Sequence, residues 1–272
     1  MKENYSAKKK TYAIRYVHGQ PVKHIFSDVN SQPKYSRIPK LPLTITKTFR
    51  VMVWNILKQQ RKGWLSVLKK NGEHTELMLL QEVKTNLKML DFVASYYLTA
   101  DQVPAFSLPK HSYGVMTLSS AFPIDCYPLR TREPLLGFSK SALITVYPTY
   151  KENLLMVINI HAINFSLGIK NYQQQLEPIG KKIAAHKGPV ILAGDFNTWS
   201  KKRVKALKTF TQNMNLEEVL FPVDNRSLIF GRPLDFIFFR GLNLIYSSVL
   251  ATQASDHNPL VVQFDISSNT ID

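Results

Sequence analysis

A carboxylate and an amide stand two residues apart in the stretch 190–200, VILAGDFNTWS, where four apolar residues lead into Gly194, Asp195, Phe196 and Asn197. An apolar run closed by glycine predicts a buried strand that ends at a surface. Side chains alternate along a strand, so residues two apart share a side, and an acid beside an amide there can hold a water or a phosphoryl group. Asp and Asn also favour turns through local hydrogen bonds, so the pair has to be weighed against the rest of the chain. Other apolar runs end the same way: 49–53 runs into Trp54 and Asn55, 77–80 into Gln81 and Glu82, and 154–160 into His161. Asp256 and His257 precede the run 260–264, and Asp235 lies early in 234–239. A single polar strand end is ordinarily structural, whereas Asn, Glu, His, Asp, Asn, Asp and His on successive ends read as one site. Such oxygen donors suit Mg²⁺, which needs one or two carboxylates plus substrate oxygens and water. Two histidines without a cysteine cluster argue against structural zinc. No glycine-rich phosphate loop and no G-x-S-x-G elbow is present.

The elements needed to hold this set can be read from periodicity. Helices are expected over 63–70, with Trp64, Val67 and Leu68 on one side, and over 86–97, with Leu87, Leu90 and Phe92 inward. A third is expected over 171–186 with Leu176, Ile179 and Ile183 buried and Pro178 kinking or opening it. Ser200 is a candidate N-cap for a fourth, running to Met214 with Val204, Leu207 and Phe210 or Thr211 on one face. Strands are expected over 113–118, 122–127, 142–147 and 244–250, with a charged loop at 130–134. Strands and helices alternate, but hairpin-like pairs intrude, so two packed sheets flanked by helices fit better than pure βαβ winding. Residues 1–47 carry Lys8, Lys9, Lys10, several prolines and little periodicity, and read as a basic arm lying on the domain. Residues 48–266 form one domain, since no Pro/Gly/Ser linker divides them, and 267–272 form a tail.

The 272 residues are 44% hydrophobic, enough for one large core. The net charge of +16 favours a polyanionic partner: nucleic acid, an acidic membrane surface or a phosphorylated small molecule. Cys126 is the sole cysteine, which excludes an internal disulfide and fits a reducing compartment. No apolar run approaches membrane-spanning length and no apolar signal segment follows the basic N-terminus, so the expected location is the cytoplasm.

W-N-I at 54–56, L-Q-E at 80–82, N-I-H at 159–161, G-D-F-N at 194–197, L-D-F at 234–236 and S-D-H-N-P at 255–259 occur in that order. In this the chain resembles the endonuclease/exonuclease/phosphatase superfamily, from about residue 49 to 264. W-N-I-L-K-Q-Q, H-A-I-N-F-S-L-G and G-R-P-L-D-F further resemble its YafD-like bacterial group. The resemblance implies a four-layer α/β/β/α sandwich of two packed mixed sheets, DNase I-like, and metal-dependent cleavage of phosphoester bonds with Mg²⁺, or Mn²⁺ as an alternative. It implies that Glu82 is the main metal carboxylate, with Asn55 beside it and Asp256 completing or supporting the metal site. Asp195 and Asn197 would orient or deprotonate the attacking water. His161 and His257 would contact phosphate and move protons, and Asp235 would orient His257. Asp195 and His257 are both candidates for the base. Some nuclease branches carry a second acid two residues after the first Asn; here that position is Leu57, which argues against a second tightly held metal.

Basic residues crowd these loops. Lys58, Arg61 and Lys62 follow Asn55, Arg130 and Arg132 lie in the third loop, Lys201, Lys202 and Arg203 follow Asn197, and Arg226 and Arg232 precede Asp235. Together they point to a substrate with several phosphates, with Arg132, Asn164, Lys58 and Lys201 as candidate substrate contacts. Trp199 could stack a base or simply pack. Nucleic acid is the favoured substrate. A lipid phosphodiesterase, which would want an exposed apolar loop that is not evident in the sequence, or a phosphatase of a small metabolite are the alternatives. A non-catalytic binding protein is the weakest reading, since no motif residue is lost. No obligate protein partner is implied.

Overall fold

A computed structural model describes residues 11–26, 42–44, 46–134, 137–149, 153–166 and 168–266. Lys8, Lys9, Lys10 and the tail 267–272 lie outside the described residues. Elements follow in chain order: β1 (Tyr12–Val17), β2 (Gln20–Phe26), β3 (Thr48–Asn55), α1 (Trp64–Gly72), β4 (Leu77–Lys84), α2 (Leu87–Tyr96), β5 (Thr99–Leu108) and β6 (His111–Ser119). Then come β7 (Asp125–Arg132), β8 (Ser139–Pro148), β9 (Leu154–His161), α3 (Lys170–Ala185), β10 (Val190–Asp195) and α4 (Lys201–Asn213). The chain closes with β11 (Glu217–Glu218), β12 (Leu228–Ile229), β13 (Arg232–Pro233), β14 (Asp235–Arg240), β15 (Asn243–Val249) and β16 (Leu260–Asp265).

One sheet has the order β15-β16-β3-β4-β6-β5-β1-β2 and the other β11-β14-β10-β9-β8-β7. Each is mixed: β3–β4 and β9–β10 are parallel, and the other pairs are antiparallel. The period of two explains the layering. On β3, Val51 and Val53 join the core between the sheets, with Leu79, Val157, Ile191 and Ile237 from other strands. Met52 and Trp54 point the other way and bury Leu68 of α1 and Phe92 of α2. The second sheet repeats this with Leu192 and Phe238 packed on Leu176 of α3 and Leu207 of α4. The result is the four-layer sandwich, with the site growing from one end of the inner faces.

Three expectations are corrected. The segment 12–26, read as an arm, is a hairpin that extends the larger sheet by pairing β1 with β5. Arg15 on β1 makes a two-pronged contact with Asp101 at 2.7 Å for each prong, and both side chains are buried. The expected loop 130–134 is partly strand, since Arg130 and Arg132 sit in register opposite Ser141 and Ser139 on β8. Leu87 is 79% exposed rather than inward: the helix begins at Asn86, whose side chain accepts from the Met89 amide, which leaves Leu87 on the solvent side of the first turn. Ser200 caps α4 as expected, accepting from the Arg203 amide at 3.3 Å.

Candidate active site

The same parity that builds the core delivers the polar residues. On β3 the inward series 49, 51, 53 ends at Asn55; on β10, Ile191 and Ala193 are followed by Asp195; on β14, Asp235 precedes Ile237 and Phe239. On β9, Leu155 and Val157 are followed by Asn159 and His161. Gln81 completes the inward series of β4 and donates to Asn159 Oδ1 at 2.8 Å, a polar bridge between the sheets. By alternation Glu82 would face the helices. It does not, because the β4–β6 ladder slips between Leu80 and Val83, and Glu82 takes a left-handed φ of 55°. Such a bulge re-aims one side chain, and here it turns Glu82 towards the inner-face residues.

From Glu82 a continuous set of contacts crosses the sandwich end. Glu82 Oε2 lies 3.0 Å from Lys58 Nζ, and Oε1 lies 3.8 Å from Lys140 Nζ and 3.9 Å from His161 Nε2. Lys140 Nζ is 2.6 Å from His161 Nε2. Next comes Asp195, with Oδ2 3.4 Å from His161 Nε2 and 4.0 Å from His257 Nε2. Asn55 Nδ2 donates to that same Oδ2 at 3.1 Å, and the Asn197 amide donates to Oδ1 at 2.9 Å. His257 closes the set: its Nδ1 is 2.7 Å from Asp235 Oδ2, and Asp235 is 2% exposed.

Local backbone holds these groups at a cost. Leu57, Lys58 and Gln59 form a left-handed turn (φ 47°, 52° and 61°), and Asn197 has φ 49°. Left-handed geometry costs a non-glycine residue roughly 1–2 kcal/mol. Gly194 meets a different demand, since a Cβ there would lie 2.0 Å from the Ile160 carbonyl.

Burial and neighbouring charge set the protonation states. Burial pushes Asp195 up to about 6, with Asp235 adding to the effect and the positive charges of His257 and Lys140 opposing it. Burial would lower His257, but the charge and hydrogen bond of Asp235, with Asp195 and Asp256, outweigh it and hold the imidazolium up to about 10. His161 goes the other way: burial, then Lys140, His257 and Lys58, keep it well below its ordinary value. A neutral His161 agrees with the geometry, since Nε2 can accept from the Lys140 ammonium.

Several expected contacts fall elsewhere. Asp256 is exposed, with Oδ1 3.2 Å from Ser255 Oγ, outside the contact set from Lys58 to Asp235. The Asn197 amide nitrogen donates to the Ala162 carbonyl at 2.9 Å, so that side chain pins the loop after His161. Asn164 takes part through its backbone: its N–H donates to Glu133 Oε1, and its carbonyl accepts from Arg203 and Trp199. Arg203 is 1% exposed and also donates to the Ile163 and Asn197 carbonyls, so it braces the site from beneath. Arg226 is buried against Asp224 and Glu218. Arg232 donates to the Trp199 and Phe230 carbonyls, and Trp199 packs on Arg203, 4.8 Å from its guanidinium carbon to the ring. Lys201 and Arg132 are exposed at element ends. Lys140 was missed because it belongs to no motif and stands outside the apolar run that follows it. Leu228, Ile229 and Phe230 are 59%, 39% and 78% exposed, so an exposed apolar loop exists where none was evident in sequence.

With this geometry in hand, residues 52–257 match the Endonuclease/Exonuclease/phosphatase family. The chain belongs to that family. A UPF0294 protein of Yersinia enterocolitica is 60% identical over 256 residues, 94% of this chain and 98% of the relative. Among solved structures, an endonuclease/exonuclease/phosphatase from Beutenbergia cavernae superposes with a TM-score of 0.66 at 16% identity, covering 83% of this chain and 73% of that one. A mannosyl-6-phosphatase of Bacteroides thetaiotaomicron superposes with a TM-score of 0.60 at 14% identity, covering 79% and 99%. Members of the endonuclease/exonuclease/phosphatase family are phosphoester hydrolases that generally use divalent metals.

The residues present fit such an ion. Asp235 Oδ1 is buried and lacks a hydrogen-bond partner, Glu82 Oε2 is buried and paired with the Lys58 ammonium at 3.0 Å, and carboxylate oxygens are hard donors of the kind Mg²⁺ prefers. Asp195, Asp235 and His257 bring three ligand atoms within 4.8 Å. With His257 Nδ1 bonded to Asp235 at 2.7 Å, however, that trio is a hydrogen-bonded relay. Glu82, with Asn55 near Asp195, is the candidate seat.

Proposed function

We propose that the protein is a divalent-metal-dependent hydrolase of phosphodiester bonds in nucleic acid, with Mg²⁺ as the ion and Mn²⁺ as an alternative. The observation that carries the chemistry is the buried Asp195 carboxylate seated between two histidines, His161 facing the Lys140 ammonium and His257 facing the Asp235 carboxylate. A base whose pKa lies near the working pH is both ionised and strong enough to take a proton. His257, held as a cation, is a poor base, which favours Asp195 for that task. Water attacks phosphorus and gives its proton to Asp195, a new P–O bond forms, and the ester P–O bond breaks with its electron pair on the leaving oxygen, which takes up the proton of the His257 imidazolium. The His257 cation and the Lys140 ammonium face the developing negative charge. Asn55 and the Asn197 amide keep the carboxylate aimed. A metal ion held by Glu82 would add Lewis-acid charge neutralisation.

The nucleic-acid reading rests on fewer cations than the sequence offered, because Arg203 and Arg226 serve the interior. Lys58 and Lys140 line the site, and Arg61, Lys62, Lys201 and Lys202 remain outside the core. A lipid diester is the second reading, favoured by the exposed tip at Leu228, Ile229 and Phe230. Glu82→Gln keeps shape and removes the charge that would hold the ion. Hydrolysis of a diester panel should fall by more than the about 10–100-fold typical of outer-shell metal partners, and chelation of the wild type should do the same. Full hydrolysis in chelator defeats the metal reading. Oligonucleotide binding to Glu82→Gln should weaken with salt, and loss of one contacting lysine should lower the log–log slope by about one. Binding indifferent to salt removes nucleic acid as the substrate.

A further inference from the structure

Strands β12 and β13 form a two-residue hairpin, Leu228 opposite Pro233 and Ile229 opposite Arg232, turned by Phe230 and Gly231. Both turn residues have positive φ, 51° and 71°, the signature of the tight turn that lets a short hairpin stand out from a surface. A Cβ at Gly231 would meet nothing within 4 Å, so the tip projects into open space. Its base is fixed to the catalytic end. The Pro233 carbonyl accepts from Thr198 Oγ1 at 2.5 Å, one residue after Asn197. Ser227 Oγ accepts from the Asn258 amide at 3.2 Å, one residue after His257. Arg232 ties the hairpin to the Trp199 carbonyl. A braced finger thus carries three consecutive large apolar residues into solvent beside the residues that flank the site. Consecutive exposed apolar residues are a liability unless they have a use.

Charge indicates what covers the tip. Lys201 and Lys202 are exposed at the start of α4, immediately after Trp199 and Ser200. Arg61 is held to the Ser255 carbonyl at 2.5 Å, with exposed Lys62 next in the chain. Apolar residues on a projecting tip whose base is bonded beside Trp199 and Asn258, close in sequence to these cations and their partners, match the two layers of an anionic bilayer surface, acyl boundary and headgroup phosphates. Nucleobases are a poorer match, because two of the three tip residues are aliphatic and offer no stacking face. The chain-wide charge of +16 adds long-range attraction to the same surface.

We propose that the Leu228–Ile229–Phe230 tip docks the protein on anionic lipid surfaces, with Lys201, Lys202, Arg61 and Lys62 at the headgroups. Docking orients the catalytic end towards the membrane. The inference holds whichever diester is cut, since it concerns where the protein works.

The test is co-sedimentation of the full chain with phosphatidylglycerol/phosphatidylcholine vesicles and with pure phosphatidylcholine vesicles, over a salt series. Wild type should pellet with the anionic vesicles and release as salt rises. The double variant Ile229→Ser/Phe230→Ser should bind those vesicles at least about tenfold more weakly, the scale of losing one buried apolar side chain. Its hydrolysis of a soluble aryl diester with Mg²⁺ and its thermal midpoint should match wild type. Wild type that stays in the supernatant with anionic vesicles overturns the proposal, as does a double variant that pellets equally. A variant that loses a short oligonucleotide while wild type ignores vesicles reassigns the tip to nucleic acid and also overturns it. Absence of diester hydrolysis in wild type that still docks defeats the proposed reaction and leaves the docking intact.

Discussion

His161 and His257 sit on either side of the same carboxylate, both buried, and are driven in opposite directions. Nε2 of His161 is 3.4 Å from Asp195 and Nε2 of His257 is 4.0 Å away, so the shared acid does not separate them. The partner on the far side does. His161 has an ammonium at 2.6 Å, and His257 has a buried carboxylate at 2.7 Å. Burial lowers both rings, but at His257 the attraction of Asp235, with Asp195 and Asp256, reverses the sign. The lesson is that motif identity assigns a histidine to a site, while the second neighbour decides whether it enters the reaction as an acid or as a neutral ligand.

Removing the shared acid breaks the comparison most completely. Asp195→Asn should reduce hydrolysis by about 10²–10⁴-fold, the range for loss of a general base. The same change should stabilise the fold. Asp195 has a folded-state pKa raised above its unfolded value, so its charge costs stability at neutral pH, and that cost disappears as pH falls through about 6 towards the unfolded value. In chelator at pH 8 the variant should melt higher, by about 2–4 °C for each kcal/mol recovered. A lower melting point would contradict the burial assigned to Asp195.

Asp235→Asn should leave the ring in place but release its charge. A loss of about 10–100-fold is expected, as for other groups that orient a reacting partner, and NMR titration should show His257 losing its proton far below 10. For wild type, rate against pH should rise as Asp195 deprotonates near 6 and fall as His257 deprotonates near 10; in Asp235→Asn the falling limb should move down. The linked stability follows the same sign: a raised His257 contributes most below its unfolded pKa, and that contribution is lost as pH rises through about 10. Lys140→Met should have the smallest effect, about tenfold or less on rate, while raising the pKa of His161 by removing its nearest positive charge. An unmoved His161 titration would separate Lys140 from the histidine.

Much of the fold was legible because burial imposes a period of two on strands and of 3.6 on helices, and the six motifs fall where apolar runs stop or start. Several features that escaped are buried polar groups whose burial only folding reveals. Arg15 interrupts β1 and makes it look like an arm, since Asp101, which pairs with it, lies 86 residues on. β5 was missed because Asp101 and Gln102 are buried polar residues and Pro104 demotes the strand pattern. Lys140 belongs to no motif and earns its place only through folding. The cations Arg203 and Arg226 misled in the opposite sense, because charge looks exposed in a sequence until its acceptors are known. The bulge at Glu82 changes which face a residue occupies, and alternation alone would have sent that carboxylate to the wrong side.

The placement of β3 between β16 and β4 has a consequence for how the protein is made. Trp54 Nε1 donates to the His257 carbonyl and Ser255 Oγ to the Asn55 carbonyl, contacts that span 203 and 200 residues. At ribosomal speeds of about 5–20 residues per second, the first half of the site waits roughly 10–40 s for the second. Until β16 emerges, β3 shows one open edge and His257 cannot be held beside Asp195. Pairing of β16 with β3 thus closes the sheet and brings the two halves of the site together in one event.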